Sequence, residues 1–206
     1  MEQQEILNLL QQVADGSVTP QQAQLQLKMA PFEDLGFAKL DHHRALRQGV
    51  AEVIYGAGKT PEQIRAIAAA MLARGQRTVL ITRMSAGAAE AMEGLPFRYD
   101  PLSRVGIAGT LPEPDGHGTI LIATGGTSDQ PVAEEAALTA EALGNRVVRL
   151  YDVGVAGLHR LLAHLDEIMS AQVIVAIAGM EGALASVIGG LADCPVIAVP
   201  TSVGYG

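Results

Sequence analysis

Residues 119–135, TILIATGGTSDQPVAEE, decide how the chain folds. Thr119 to Ala123 is apolar and partly β-branched, which suits a buried strand. Gly125 and Gly126 allow a sharp turn and a close approach to the backbone. Thr127, Ser128 and Asp129 can cap the helix that follows, with Pro131 in its first turn. A strand, a small-residue turn and a helix N-terminus present free N–H groups and the positive end of a helix dipole, an arrangement that suits phosphate. An ordinary strand–helix connection would read the same way. Similar Gly-rich turns after later strands are what favour a ligand.

Composition narrows the class. The 206 residues suffice for one sizeable domain or a domain plus a smaller one. The chain is 49% hydrophobic but only 3% aromatic, with no Trp, as expected of an α/β protein whose strands are buried on both faces. A net charge of −8 offers no basic footprint, so nucleic acid is not an expected partner. The single cysteine, Cys194, forms no internal disulfide and fits a reducing compartment. The opening MEQQEILNLLQQV is amphipathic and acidic, unlike a signal peptide, and no apolar run is long enough for a membrane span. The expectation is a cytoplasmic protein without membrane partners.

The pattern divides the chain into three parts. Residues 1–28 read as a helical hairpin, with Ile6, Leu7, Leu10 and Val13 at helical spacing, a stop at Gly16 and a second start at Thr19-Pro20. Residues 30–112 read as a small α/β lobe. Its expected strands are 37–40, 51–55 and 78–82, and its helices run from Thr60 to Leu72 and from Ser85 to Met92. LPEPDGHG, 111–118, reads as a linker. Residues 119–206 alternate strands at 119–123, 146–151, 172–178 and 195–199 with helices near 130–143, 156–168 and 181–191. Repeated β-α units imply a three-layer αβα core around a parallel sheet.

Ligands of such sheets bind beyond the carboxyl ends of the strands. There the chain places Gly125, Gly126 and Thr127, then Gly154, Val155 and Gly157, then Gly179, Met180 and Gly182, and finally Ser202 and Gly204. Four turns of small residues on one edge make a floor on which a nucleotide could lie.

The wording of these turns, AGMEGA included, resembles the PurE class of aminoimidazole ribonucleotide carboxylases and mutases. The runs FAKLDHHRALRQGVAEVIYGAGKTPEQ (37–63) and GMEGALASVIGGLADCPVIAVPTSVGYG (179–206) more closely resemble the LarB family, the pyridinium-3,5-biscarboxylic acid mononucleotide synthases of nickel-pincer cofactor biosynthesis. The resemblance runs from about Phe32 to the end, and the purine enzymes lack the lobe before residue 112. It implies a PurE-like core with a smaller N-terminal lobe, and a homo-oligomer with an octamer among the candidates. It also implies a reaction in which nicotinic acid adenine dinucleotide is carboxylated at pyridinium C5 by CO2 or bicarbonate. The phosphoanhydride is hydrolysed with Mg2+ and AMP is released; AMP or NAD-like nucleotides could also bind. A pyridinium is too electron-poor to attack CO2, and a thiolate adding to the ring creates a carbon that can.

In the family that nucleophile lies beyond the GYG run, whereas this sequence stops at Gly206 and Cys194 reads as a small packed hydrophobe. The expectation is a chain that binds nucleotide and does not carboxylate on its own.

Several side chains are candidates for chemistry. Ser128 and Asp129 could hold a phosphate, a ribose hydroxyl or Mg2+, or could merely cap a helix. Glu181 could be the general base for the ring proton, or an acid favoured by a helix dipole. Arg160 could meet a carboxylate or phosphate, or could simply be solvated. Asp41, His42, Arg44 and Arg47 form a polar cluster, followed by Glu52 and Lys59, that suits an anionic substrate or a structural ion-pair network. His42 and His43 point apart and do not make a metal motif. A purine-type ribonucleotide carboxylase or mutase and a non-catalytic nucleotide-binding module are the competing functions.

Overall fold

The computed structural model describes residues 3–28, 33–41, 44 and 50–202. The chain opens with α1 (Gln3–Ala14) and α2 (Pro20–Lys28), which meet at buried Leu9 and Ala23. Gly16 turns the chain between them with φ 79°. Leu7, Leu10 and Leu25 remain exposed.

The next segment carries β1 (Glu33–Asp34) antiparallel to β2 (Lys39–Leu40), followed by a four-stranded sheet. That sheet contains β3 (Ile54–Tyr55), β4 (Thr78–Thr82), β5 (Phe97–Asp100) and β6 (Val105–Gly109) in the order β3-β4-β6-β5. β3 pairs parallel with β4, and the other two pairings are antiparallel. Helix α3 (Pro61–Ala73) starts at a capping box, in which Thr60 Oγ1 accepts from Gln63 N and Gln63 Oε1 from Thr60 N. Ile64, Ile67, Ala68 and Met71 share its buried face and pack with Val79, Ile81 and Ala108 of the sheet. Helix α4 (Ala86–Glu90) starts at Ser85, and Arg65 closes its far end by donating to Ala91 O (2.9 Å) and Glu93 O (2.5 Å).

Strands β5 and β6 were not expected from the sequence. Packing explains the missing signal: at Gly106 a Cβ would lie 2.6 Å from Met84 Sδ and 2.8 Å from the Phe97 ring, so the strand needs a residue that weakens its own pattern. The strands expected at 37–40 and 51–55 shrink to their last two residues, and Phe37 is half exposed.

The remaining strands are β7 (Thr119–Thr124), β8 (Arg146–Leu150), β9 (Val173–Ala178) and β10 (Val196–Pro200). They form a parallel sheet in the order β10-β9-β7-β8, within about a residue of the expected bounds. A 3-10 turn (Thr127–Asp129) leads into α5 (Gln130–Ala142). A second such turn (Val155–Gly157) leads into α6 (Leu158–Leu162), followed by α7 (Leu165–Ser170) and, after β9, α8 (Ala183–Leu191). The single helix expected at 156–168 is therefore broken. His164 leaves helical dihedrals, its N–H bonds three residues back to Leu161 O (3.0 Å), and its ring meets Glu167 Oε1 (3.1 Å).

Alternate residues of the parallel strands serve opposite faces. Leu121, Ala123, Ile174 and Ala176 pack with Ile168 of α7 and with Leu184 and Ile188 of α8. Ile122 and Ile177 pack with Ala133 and Ala137 of α5. This is the three-layer arrangement. The other side of α5 carries Leu138 and Ala142, which pack on Leu80, Val105 and Ile107 of the first sheet. Helix α5 thus lies between two sheets, and small alanines let it approach the parallel one closely.

Charge reinforces this junction. Arg83 pairs with Glu135 (3.5 Å) and Arg98 with Glu141 (3.7 Å). Arg149 of β8 bonds Glu141 (2.6 Å) and Glu134 (3.1 Å), which holds its proton more tightly still. Burial raises the Tyr151 phenol well above its ordinary range, helped by its bond to Glu134 (2.9 Å). Among the described residues, no helix is long and apolar enough to cross a membrane.

Candidate functional site

Because all four strands of the second sheet run parallel, their carboxyl ends share one edge. The turn after β7 is fixed there first. Gly125 N–H bonds Ile177 O (2.9 Å), tying the turn to β9. Asp129 makes no side-chain cap to α5. Its Oδ2 accepts instead from Gly126 N (3.0 Å) and its Oδ1 from Thr201 Oγ1 (2.6 Å). Thr201 follows β10, and its own N–H bonds Ala178 O (3.1 Å). A buried carboxylate is tolerated because two donors and the start of a helix surround it. The Asp129 side chain therefore pins the Gly-Gly turn and the exit of β10 together. The Asp129 N–H bonds Gly126 O (3.2 Å) and the Gln130 N–H bonds Thr127 O, so in this start it is the N–H groups of Thr127 and Ser128 that are open to a ligand.

The turn after β8 presses against the first. A Cβ on Gly154 would lie 2.5 Å from Gly125 O, so only glycine fits. Asp152 adopts the left-handed conformation (φ 58°), and its N–H bonds the hydroxyl of fully buried Thr124 (2.9 Å). Its carboxylate pairs with Arg160 (2.8 Å). Gly157 makes room for that arginine, since a Cβ there would be 2.7 Å from Arg160 Nε. In the turn after β9, Met180 also has a positive φ (55°), and Gly182 (φ 66°) opens α8. Two strained non-glycine residues thus flank one edge of the sheet, the kind of outlier that gathers at binding sites.

These turns enclose a cavity of about 290 Å³. Gly125, Gly126, Ser128 and Asp129 line one side, Gly154, Val155 and Arg160 the second, and Gly179, Met180 and Glu181 the third. The volume is at the low end of the roughly 300–1,000 Å³ usual for small-molecule sites, which suits one part of an extended nucleotide. Among the described lining residues Arg160 is the one cation, against Asp129 and Glu181. Among the described residues no group of three or more His, Cys, Asp or Glu comes together to hold a metal, and the carboxylate of Asp129 already accepts two bonds.

Residues 32–109 match the LarB/PurE-like N-terminal domain, and residues 119–205 match AIR carboxylase. An uncharacterised protein of Methanocaldococcus jannaschii is 36% identical over 218 aligned residues, spanning 97% of this chain and 82% of its own length. The chain belongs to the LarB/PurE-like family. The matches place it among carboxylase- and mutase-type proteins, and the cavity lies wholly within the part that matches AIR carboxylase.

Within this LarB/PurE-like chain the other candidate residues fall elsewhere. Thr127, Gly157, Gly182 and Ser202 lie in the same edge turns without lining the cavity. Asp41 lines a separate hollow of about 170 Å³ with Ala51, Glu52, Met71, Arg74, Gly75 and Gln76, and its N–H bonds Glu52 (2.8 Å). The Lys59 ammonium donates to Tyr55 O (2.7 Å), at the start of α3. Arg44 N–H bonds Asp41 O (3.4 Å), so it stays with Asp41. Arg47, Gly204, His42 and His43 lie outside the described residues.

The sequence places Thr124, Asp152, Ala156, Ala183 and Thr201 in the strand-end turns without giving any of them a role, and does not mark Ala178 or Leu184. Thr124 and Thr201 carried a readable signal, since each is a hydroxyl residue at the end of a strand. A further cavity of about 260 Å³ lies where α5 meets the first sheet, between Arg98, Tyr99, Asp100 and Glu134. Its charges are already matched: Glu134 to Arg149 and Tyr151, Asp100 to Ser103, and Arg98 to Glu141.

Proposed function

We propose that this chain binds nicotinic acid adenine dinucleotide at the cavity beyond β7, β8 and β9. There it serves carboxylation of pyridinium C5 and hydrolysis of the phosphoanhydride, giving AMP and pyridinium-3,5-biscarboxylic acid mononucleotide for a nickel-pincer cofactor. The observation that carries the reading is that a LarB-type N-terminal match and an AIR carboxylase match occur in one chain, with a cavity at the sheet edge of the second.

Each lining residue has a place in this chemistry. The N–H groups after Gly126 and the Ser128 hydroxyl suit phosphate oxygens. Arg160 suits a phosphate or the ring carboxylate. Glu181, exposed at the mouth, is the general base for the ring proton. Asp129 holds the turn rigid and leaves its outer edge to a ribose hydroxyl. Mg2+ would arrive with the diphosphate, consistent with an ion that keeps its waters and binds phosphates through few carboxylates.

The ring needs a thiolate, and Cys194 does not stand at the cavity. It precedes β10 at the amino edge of the sheet and packs against the core, a strand length of roughly 16 Å from the carboxyl edge. The test therefore supplies a thiol. The chain, and a form carrying a cysteine-bearing C-terminal extension, are incubated with the dinucleotide, bicarbonate and Mg2+, and products are read by mass spectrometry. The dicarboxylated mononucleotide plus AMP from the extended form supports the reading; no product from either form contradicts it.

The match over residues 119–205 also favours a second reading, a ribonucleotide carboxylase or mutase that needs no thiol. Turnover of carboxyaminoimidazole ribonucleotide by the unextended chain would select it.

A further inference from the structure

We propose that Asp152 selects ligands by charge at this cavity. It disfavours a phosphate that carries two charges and so favours a diphosphate bridge, with one charge on each phosphate, over a terminal monophosphate. This rests on the cavity being a nucleotide site.

Charge at the cavity is unbalanced. Arg160 is the one cation among the described lining residues, and Asp152 holds its guanidinium at 2.8 Å. Asp129 and Glu181 line the cavity, and Asp152, just outside the lining, adds a third carboxylate beside that cation. An anionic ligand entering here meets an acidic mouth, so its second charge is an added cost.

The placement of Asp152 is built in. Its left-handed backbone is locked by the bond from its N–H to the buried Thr124 hydroxyl, which fixes where the carboxylate starts. Gly157 leaves the space that the Arg160 guanidinium fills. The pair itself is half exposed, about 40% for Arg160 and 50% for Asp152, so a ligand can open it at little cost. Asp152 does not line the cavity, but its fixed backbone keeps its charge next to the lining Arg160. Its repulsion scales with the charge on the nearest phosphate, so a dianion is opposed about twice as strongly as a monoanion.

Asp152→Asn isolates the charge, because Asn is among the residues that best tolerate the left-handed region and leaves the N–H to Thr124 in place. Calorimetric titration would compare AMP, adenosine and nicotinic acid adenine dinucleotide on both proteins, with thermal melting as the check on folding. We expect AMP to bind Asp152→Asn about three- to tenfold more tightly than it binds the parent chain, the dinucleotide about twofold more tightly, and adenosine unchanged. Unchanged or weaker AMP binding by a normally melting variant overturns the proposal while leaving the nucleotide site standing. Failure of every nucleotide to bind either protein overturns both. On the parent chain alone, the phosphate methyl ester of AMP, with one charge, should bind at least as tightly as AMP; clearly tighter binding of AMP overturns the charge selection.

Discussion

Two turns in this protein share a plan, a strand, a Gly-containing loop and the N-terminus of a thirteen-residue helix, yet they end in opposite states. At Gly56–Thr60 the helix satisfies itself. Thr60 and Gln63 exchange capping bonds, and Lys59 folds back onto Tyr55 O. At Gly125–Asp129 the acid at the third position divides its carboxylate, one oxygen accepting from Gly126 N as Gln63 does from Thr60 N, the other reaching out of the turn. That other oxygen takes the Thr201 hydroxyl beyond β10, and the 3-10 turn before α5 lines a cavity. Glycine content alone does not mark a binding turn. What separates the two is that the second turn's capping acid also holds the exit of a neighbouring strand, and that this turn lines a cavity.

Substitutions at the two turns should have unequal effects. Asp129→Ala has the largest expected effect. It leaves the Gly126 N–H and the Thr201 hydroxyl without acceptors in a buried place, so stability should fall by about 1–3 kcal/mol. Nucleotide affinity should fall by about a hundredfold, since the turn loses its anchor. Retained affinity in a destabilised variant would make Asp129 purely structural.

Gly154→Ala comes next. The added Cβ at 2.5 Å from Gly125 O must push two edge turns apart, costing about 1–3 kcal/mol and about tenfold in affinity. Its control is Gly58→Ala in the self-capped turn. There φ is 80° and nothing lies within 4 Å, so stability falls by about 1 kcal/mol and binding does not change.

Arg160→Ala should weaken phosphate ligands by about tenfold with little change in melting, because its ion pair is half exposed. Thr60→Ala should be the smallest effect. Loss of one helix cap costs about 1 kcal/mol in a denaturant titration, with nucleotide binding unaltered. A fall in binding there would mean that the first lobe shares the site.

The parallel sheet could be read from the sequence because nothing in it conflicts. Thr119–Thr124 and Val173–Ala178 are apolar throughout, as strands buried on both faces must be. The four turns at one edge followed from the strand direction alone. Strand β6 could not be read, because Gly106 and Gly109 were chosen by close neighbours, Met84, Phe97 and Arg77, that lie far away or across a turn in sequence. The break at His164 depends on a local turn that hydrophobic spacing does not report. Ser128, Asp129, Arg160 and Glu181 could be proposed one by one, and the fold brings all four to one cavity. The Asp152–Arg160 pair was out of reach because it depends on the backbone conformation of one residue and on the missing Cβ of Gly157. Asp41 lines a separate hollow in the first lobe and the Lys59 ammonium donates to Tyr55 O, so neither lines the cavity of the second sheet.

The most direct test of the central claim is amide hydrogen exchange, read by mass spectrometry, with and without saturating nicotinic acid adenine dinucleotide. The account predicts slowed exchange in 124–130, 152–160 and 178–184, and none in 55–62. Protection of 55–62 with no change in 124–130 would contradict it and move the nucleotide to the first lobe.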